Sequence, residues 1–328
     1  MSMTTKVQST LDWARSKPSL TNVLGNPVTG LGGNAIPVRI ANKVVQQMLL
    51  EPFAWKWNRR VPAPFVLNQL QQDYSTSITD LGWVENCIRR ELNNPQYAPP
   101  NPPDYPIRGV EVVRELLPTS TPGLIAQLCA IPNSEAMAGT WAPNTLFQNP
   151  AIGTELPAQP LLQIWDPNGN LQVLTTFGQT GSVAPTWNTA PNGTTADGTC
   201  VWTMADPNGI TWRVGPLPPQ SGNVYQIQPY YQKKPSPITA VSQVWPLPDE
   251  LSDVFETGFT AYAWEAAEND RKFEATFALF QSLIKKAVRG GDREAESFCM
   301  YPGRSITGVT GTMNKGDETY PPGLFSNY

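Results

Sequence analysis

Proline is the residue that most restricts how this chain can fold. There are 34 prolines among 328 residues, about twice the ordinary frequency of ~5%. Each one removes a backbone donor, so it interrupts helices and the interior strands of a sheet. Because 40% of the residues are hydrophobic, the chain can still bury a core, and we expect long ordered loops more than disorder. The densest segment, Pro95 to Pro106, predicts an extended connector.

The chain contains no histidine, which excludes many familiar catalytic and metal sites. Ser-His-Asp and Cys-His arrangements and histidine-bearing zinc centres are ruled out. The four cysteines, Cys87, Cys129, Cys200 and Cys299, form no C-x-x-C pair and predict buried, reduced thiols. We therefore expect no catalytic residue, no metal and no cofactor.

The charge balance is mildly acidic, with 23 Lys and Arg against 27 Asp and Glu. A surface that holds duplex DNA tightly needs clustered basic residues, so we expect no specific DNA binding. The sequence has no apolar run of 18 residues and no apolar segment near its start, which predicts neither a membrane span nor a secretory signal. We expect a cytoplasmic product with no membrane partner.

Four segments repeat apolar residues at helical spacing. The first two are residues 4–16 and 38–51. The clearest pair begins at Asp249, the predicted N-cap, and continues after Asn269-Asp270 to a predicted stop at Gly290-Gly291. The tight link within this pair predicts a helical hairpin.

Alternating apolar and polar residues between the helical segments indicate strands. The pattern is β from about 161 to 235, where Asp166-Pro-Asn-Gly and Asp206-Pro-Asn-Gly repeat one turn signal. Strands this short, separated by turns, do not form βαβ units.

Three tryptophans of this β region are candidates for a ligand or docking surface. Trp187, Trp202 and Trp212 can stack on a sugar ring, or they can form the core of a small sandwich. Trp165 directly precedes a turn and is left out.

The carboxylates from Asp249 to Glu256 are candidates for acid and base chemistry on a glycan. They also lie at the start of a predicted helix, where acidic side chains interact favourably with the positive end of the dipole. A glycan-degrading enzyme is therefore one hypothesis, beside a purely structural role for these residues.

Two blocks of sequence carry a family resemblance. The first runs from Ala41 to Trp83 and includes Glu51-Pro-Phe-Ala-Trp-Lys-Trp-Asn58. The second runs from Val224-Tyr-Gln-Ile-Gln-Pro-Tyr-Tyr-Gln-Lys-Lys-Pro235 through Trp245-Pro-Leu-Pro-Asp249 to Arg293. Together they resemble the head-to-tail adaptor, or tail tubular (connector), proteins of tailed bacteriophages.

The segment between these blocks has a resemblance of its own. Gly178 to Trp202 contains Pro185-Thr-Trp187 and Asp197-Gly-Thr-Cys-Val-Trp202. It resembles a repeat inserted in many phage structural proteins. Residues 140–204 are therefore expected to be an inserted β-rich module, called the β module below.

The adaptor resemblance implies an α-helical bundle that assembles as a ring, commonly of twelve copies. Such a ring joins the portal of the head to the tail tube or nozzle, presents surfaces for tail fibres, and passes double-stranded DNA through its lumen. It implies a virion protein of the neck or tail, assembled in the host cytoplasm, with no enzyme activity. The mildly acidic charge balance is consistent with this role, because a channel that passes DNA should not bind it tightly.

These inferences combine into an α+β fold: a helical bundle core from about 1–60 and 245–303, extended β arms, and an inserted small β-rich domain. Four domains are expected. Residues 1–139 are the first part of the adaptor core, and residues 140–204 are the β module. Residues 205–303 are the second part of the core, and residues 304–328 are an extended C-terminal tail.

The tail is too apolar for a solvated segment, and we expect Tyr320, Leu324, Phe325 and Tyr328 to dock on a neighbouring subunit or on the portal. The alternative function is a carbohydrate-binding or fibre-docking tail component that acts through the β module.

Overall fold

The computed structural model describes most of the chain between residues 2 and 305. The described residues are 2–17, 19–25, 35–51, 53–68, 70–92, 104–106, 123, 125–148, 161–218, 224–296, 300–301 and 304–305. The chain divides into two compact units. One comprises Met1–Trp57 with Ser236–Tyr328, and the other comprises Asn58–Pro235.

Helices form where the apolar periodicity predicted them. They are α1 Val7–Arg15, α2 Ala35–Leu49, α3 Ser252–Ala266 and α4 Asp270–Glu296. The predicted stop at Gly290-Gly291 is wrong, because α4 continues to Glu296. Glycine lowers helix propensity by about 1 kcal/mol but, unlike proline, it retains the backbone N–H that the helix needs.

The described strands are mostly short. They are β1 Arg59–Arg60, β2 Phe65–Val66, β3 Asp73–Ser75, β4 Leu81–Glu91, β5 Asp104–Pro106, β6 Gln127–Pro132, β7 Gly139–Thr140, β8 Leu146–Phe147, β9 Gln163–Trp165, β10 Leu171–Thr176, β11 Gly178–Gln179, β12 Thr194–Asp197, β13 Cys200–Met204, β14 Ile210–Gly215, β15 Tyr225–Lys233, β16 Met300–Tyr301 and β17 Arg304–Ser305.

Two sheets of the Asn58–Pro235 unit enclose a common core. In the first, β15 pairs with β4 on one side and with β1 and β2 on the other, and β5 extends the sheet beyond β4. In the second, β14 lies between β3 and β6. Side chains from both sheets form one buried cluster, which includes Cys87, Leu128, Trp212, Val214, Ile227 and Tyr231.

A third sheet has the order β12-β13-β10-β9-β7, in which β7 runs parallel to β9 and the other pairs are antiparallel. A two-stranded ribbon of β8 and β11 accompanies it. Its core contains Phe147, Leu162, Ile164, Leu174, Trp187, Cys200 and Trp202. All seven strands come from residues 139–204, the region of the predicted β module, and its status as a separate domain stays a prediction.

The expected α+β fold with a helical bundle core is wrong. Strand content, at 29%, slightly exceeds helix content, at 28%, and no α-helix occurs among the described residues of the Asn58–Pro235 unit. In the helical unit the core is filled partly from outside the helices, by Leu20, Leu24, Trp55, Trp245 and Leu247. The segments expected to be extended arms instead form sheets with hydrophobic cores of their own.

Candidate functional site

The carboxylate of Asp249 anchors the first residues of the chain. It accepts hydrogen bonds from the amide and hydroxyl of Thr5 at 2.8 and 2.7 Å and from the amide and hydroxyl of Thr4 at 3.0 and 2.8 Å. These bonds from Thr5 and Thr4 hold the pKa of the Asp249 carboxyl well below its usual range. Both carboxylate oxygens are therefore occupied by structural contacts.

Asp249 is not the N-cap of the helix, so that prediction is wrong. It begins a 3-10 turn, Asp249–Leu251, and α3 starts only at Ser252. Of the other carboxylates in this stretch, Glu256 has its pKa raised by burial and by the nearby charge of Asp253. This stretch therefore combines the start of α3 with one structural contact, the Asp249 clamp, in which the Asp249 carboxylate binds Thr4 and Thr5.

The three candidate tryptophans are all buried, and the fold brings two of them together. Trp187 is 8% exposed and Trp202 is 0% exposed, and their rings pack edge to face with centroids 6.1 Å apart. Trp212 lies in the other core, beside Tyr231. A docking role for these rings stays a prediction, and their burial favours the core role that the sequence also allowed.

Asp197 joins two tryptophans of the β module. The Nε1–H groups of Trp141 and Trp202 donate to Asp197 Oδ2 at 2.8 and 3.0 Å, and the Gly181 N–H donates to Oδ1 at 2.8 Å. Buried indole N–H groups need such acceptors. Sequence reasoning missed Trp141, since only the fold brings it to Asp197, 56 residues along the chain.

The described surface of the β module carries no charge. In residues 140–148 and 161–204 the charged side chains are Asp166 and Asp197, and both are buried. Asp166 accepts the amides of Asn168 and Asn170 within its turn and the side-chain amide of Gln172. The third charged residue of the module, Glu155, lies outside the described residues.

The module is attached to the β3-β14-β6 sheet by buried polar side chains. Gln71 Oε1 accepts the Leu162 N–H at 2.8 Å, and Gln163 Oε1 accepts the Ser75 N–H at 3.1 Å. Gln163 Nε2 donates to the Met137 carbonyl at 2.6 Å. Because buried polar groups are costly when unpaired, these bonds fix the orientation of the module sheet on its neighbour.

Two cavities among the described residues of this unit are small. One of about 150 Å³ is lined by Trp141, Phe147 and Trp202 among others, and one of about 190 Å³ by Gln71, Asp73 and Met137 among others. Pockets for small-molecule ligands usually start at about 300 Å³. Neither of these two cavities reaches that size.

Other predicted features have simple outcomes. Cys87, Cys129 and Cys200 are buried thiols, as expected, while Cys299 lies outside the described residues. Within the described ranges, no group of three or more His, Cys, Asp or Glu is placed to hold a metal ion.

No helix in that part of the chain is both long enough and apolar enough to cross a membrane. The candidate tail residues, Tyr320, Leu324, Phe325 and Tyr328, lie outside the described residues.

Comparison with known families agrees with an architectural role. No curated protein matches the chain. The family model described as SU10 adaptor protein matches residues 79–304, which is more than two thirds of the sequence and includes the β module and the α3–α4 pair. The match contains the second of the two resembling blocks and only residues 79–83 of the first. The chain therefore belongs to the SU10 adaptor protein family of phage head-tail adaptors and is a structural protein of a phage virion.

Proposed function

We propose that this adaptor assembles as a ring, with twelve copies as the expected number, that joins the portal of the phage head to the tail and continues the DNA channel. The family match over residues 79–304 carries the proposal. The tail tube or nozzle is the partner on the far side, and tail fibres are candidate partners for the outer surface. Assembly is proposed to take place in the host cytoplasm.

Charge supports a channel that passes DNA without binding it. The chain has a net charge of −4, and several cations lie within 4 Å of a carboxylate. These ion pairs are Arg59–Glu85, Arg213–Asp73, Lys43–Glu265 and Lys233–Asp80. Cations neutralised in this way contribute little to phosphate binding, which depends on release of counterions by Lys and Arg.

The β module is proposed to be an insertion into the adaptor core. Its sheet and ribbon take all their strands from residues 139–204 and share a separate hydrophobic cluster. We expect hydrogen exchange across these strands to open as one cooperative unit. If the amides of the module strands exchange at the same rates as those of the β3-β14-β6 sheet under all conditions, the module is not an independent unit.

The alternative function, carbohydrate binding through the module, predicts glycan-array binding that Trp187→Ala abolishes. The buried position of that ring supports the structural function instead. For the glycan-degrading hypothesis, hydrogen bonds from Thr4 and Thr5 already occupy Asp249, one of the candidate carboxylates.

The ring is tested by mixing the purified full chain with the phage portal and measuring particle mass, followed by electron microscopy. We expect a closed ring bound to the portal. A chain that stays solitary with portal and tail partners present, and turns over a small molecule, would overturn the proposal.

The proposed role of the C-terminal tail has its own test. Deleting residues 304–328 should weaken attachment to heads while leaving the rest folded, as judged by circular dichroism. Normal attachment by the truncated chain would remove this part of the proposal.

A further inference from the structure

We propose that the β module forms a contact between neighbouring copies of this chain, in which the exposed part of its outer sheet face meets the ribbon side of the next copy. This inference rests on the proposed ring and deepens it by naming the two surfaces that meet.

The first surface, the sheet face, is the exposed part of the outer side of β10, β12 and β13, which faces away from the module core. The β9 end of this side is covered, because Gln163 bonds to Ser75 there and Leu171 packs against Ala136. Trp202 points into the core, so its neighbours on β13 point outward, and the register places Thr194 opposite Thr203. The Thr175 hydroxyl lies 3.1 Å from that of Thr203. The sheet face comprises Thr175, Thr194, Ala196, Val201 and Thr203.

The second surface, the ribbon face, lies on β8 and the loop after β11. Phe147 packs into the core edge to face with Trp202, their centroids 5.4 Å apart, so the preceding Leu146 points outward. Leu146 is 54% exposed and Val183 is 78% exposed. The Asn144 N–H bonds to the Gly181 carbonyl, which brings the Val183 loop beside β8. The ribbon face comprises Leu146 and Val183.

These two surfaces lie on opposite sides of the module, with the packed Phe147 and Trp202 rings between them. A two-fold contact would use one self-complementary patch, whereas a ring is built from two different patches on each copy. Two opposed surfaces of matching character are what a head-to-tail contact requires. The sheet face consists of the small side chains of threonine, alanine and valine, and the ribbon face presents the exposed aliphatic side chains of Leu146 and Val183.

Absence of charge indicates what covers these surfaces. Charge depletion is the compositional mark of an interface core. Residues 140–204 contain no Lys or Arg, so the module lacks the cations on which DNA phosphate binding mainly depends. A charged protein surface would lose hydration here without compensation. The opposite face of another copy is itself uncharged, so it can cover these surfaces without burying unpaired charges.

The test places one charge on each face of the full-length chain. Thr194→Lys alters the sheet face, Leu146→Glu alters the ribbon face, and the double variant carries both. Asn168→Lys adds the same charge to an exposed turn of the module away from both faces, and serves as control. Subunit number is measured by native mass spectrometry and sedimentation velocity across a concentration series, with and without the portal.

We expect each single variant to raise the concentration needed for half-assembly roughly tenfold or more, because it buries an unpaired charge. The double variant should recover most of this loss, since the introduced lysine of one copy would then face the introduced glutamate of the next at every contact in a closed ring. The control should assemble like the wild type. Circular dichroism verifies folding, and Ala196→Lys and Val183→Glu replace any variant that does not fold.

Wild-type assembly with unchanged assembly of both single variants would overturn this inference and leave the ring proposal intact. Variants that assemble normally but lose attachment to the tail, or lose glycan binding, would assign the faces to that partner and also overturn it. A wild-type chain that never assembles, even with portal present, would instead refute the proposed function.

Discussion

Asp73 and Arg213 form a buried ion pair with two hydrogen bonds between adjacent strands. Arg213 Nε and Nη2 donate to Asp73 Oδ1 and Oδ2, each at 2.7 Å, and the side chains of Arg213 and Asp73 are 9% and 1% exposed. The hydrogen bond to Asp73 raises the pKa of Arg213. Asp73 Oδ2 also accepts the Met137 N–H at 2.6 Å. The pair thus ties β3, β14 and the chain entering the β module to one another.

Removing one partner of this pair should be strongly destabilising. Asp73→Ala leaves the Arg213 charge buried without its carboxylate, and we expect the free energy of unfolding to fall by about 3–5 kcal/mol. Urea denaturation measures the change. Lys233→Gln is the control, because its pair with Asp80 spans 3.9 Å between half-exposed side chains and should contribute less than about 1 kcal/mol. Similar small losses for both variants would contradict the assigned role.

Local patterns in the sequence were enough to locate the helices and many of the strands. Apolar spacing located α1 to α4, and the two Asp-Pro-Asn-Gly turns marked the strands that follow them. Both signals act within a few residues of the chain. The same locality explains the error in fold class, because short strands interrupted by proline give weak signals even where they pair into sheets.

Contacts between distant residues could not be predicted in this way. Asp73 and Arg213 are 140 residues apart, and Thr4 and Asp249 are 245 apart. Asp249 carried a recognised helix-start signal, but its side chain satisfies donors that approach from the other end of the chain. The sequence shows that residues 140–204 contain no Lys or Arg. Only the fold shows that Asp166 and Asp197 are buried, which leaves the described surface of the β module without charge.

Asp197 is expected to determine the stability of the β module. In Asp197→Asn an amide replaces the charged acceptor of two indole N–H groups. Charge-assisted hydrogen bonds contribute about 1.5–3 kcal/mol each, so we expect faster hydrogen exchange throughout β12 and β13. Asp206→Asn is the control, since Asp206 Oδ1 accepts the backbone amide of Asn208 in an exposed turn. Equal exchange in the two variants would show that Asp197 has no special role.

The Asp249 clamp should make the helical unit sensitive to acid. Its carboxyl pKa is lower in the folded chain than in the unfolded chain. The stabilisation is therefore fully present above the unfolded value of about 4 and is lost as the pH falls through the folded value. We expect Asp249→Asn to lower the melting temperature at pH 7 and to flatten its decline below pH 4.

The adjacent Glu250→Gln serves as control for this acid effect, because that side chain is exposed and has the same change in charge. It should retain the wild-type decline in melting temperature. If Asp249→Asn shows the same acid transition as the wild type, the clamp does not contribute to pH dependence.

The contact between α3 and α4 depends on a glycine. A Cβ atom at Gly258 would lie 2.6 Å from the ring of Phe280, which is fully buried. Gly258→Ala gains about 1 kcal/mol of helix propensity, but overpacking costs about 1–3 kcal/mol. We therefore expect a net loss of stability in thermal or urea denaturation, against the usual effect of this substitution in a helix.

A double-mutant cycle with Phe280→Leu tests whether this steric contact is the cause. The smaller side chain makes room for the new methyl group, so the double variant should be less destabilised than the sum of the two single variants. Additive losses would mean that Gly258 matters for another reason. A stabilised Gly258→Ala variant would mean that the two helices approach less closely at this point than the structure indicates.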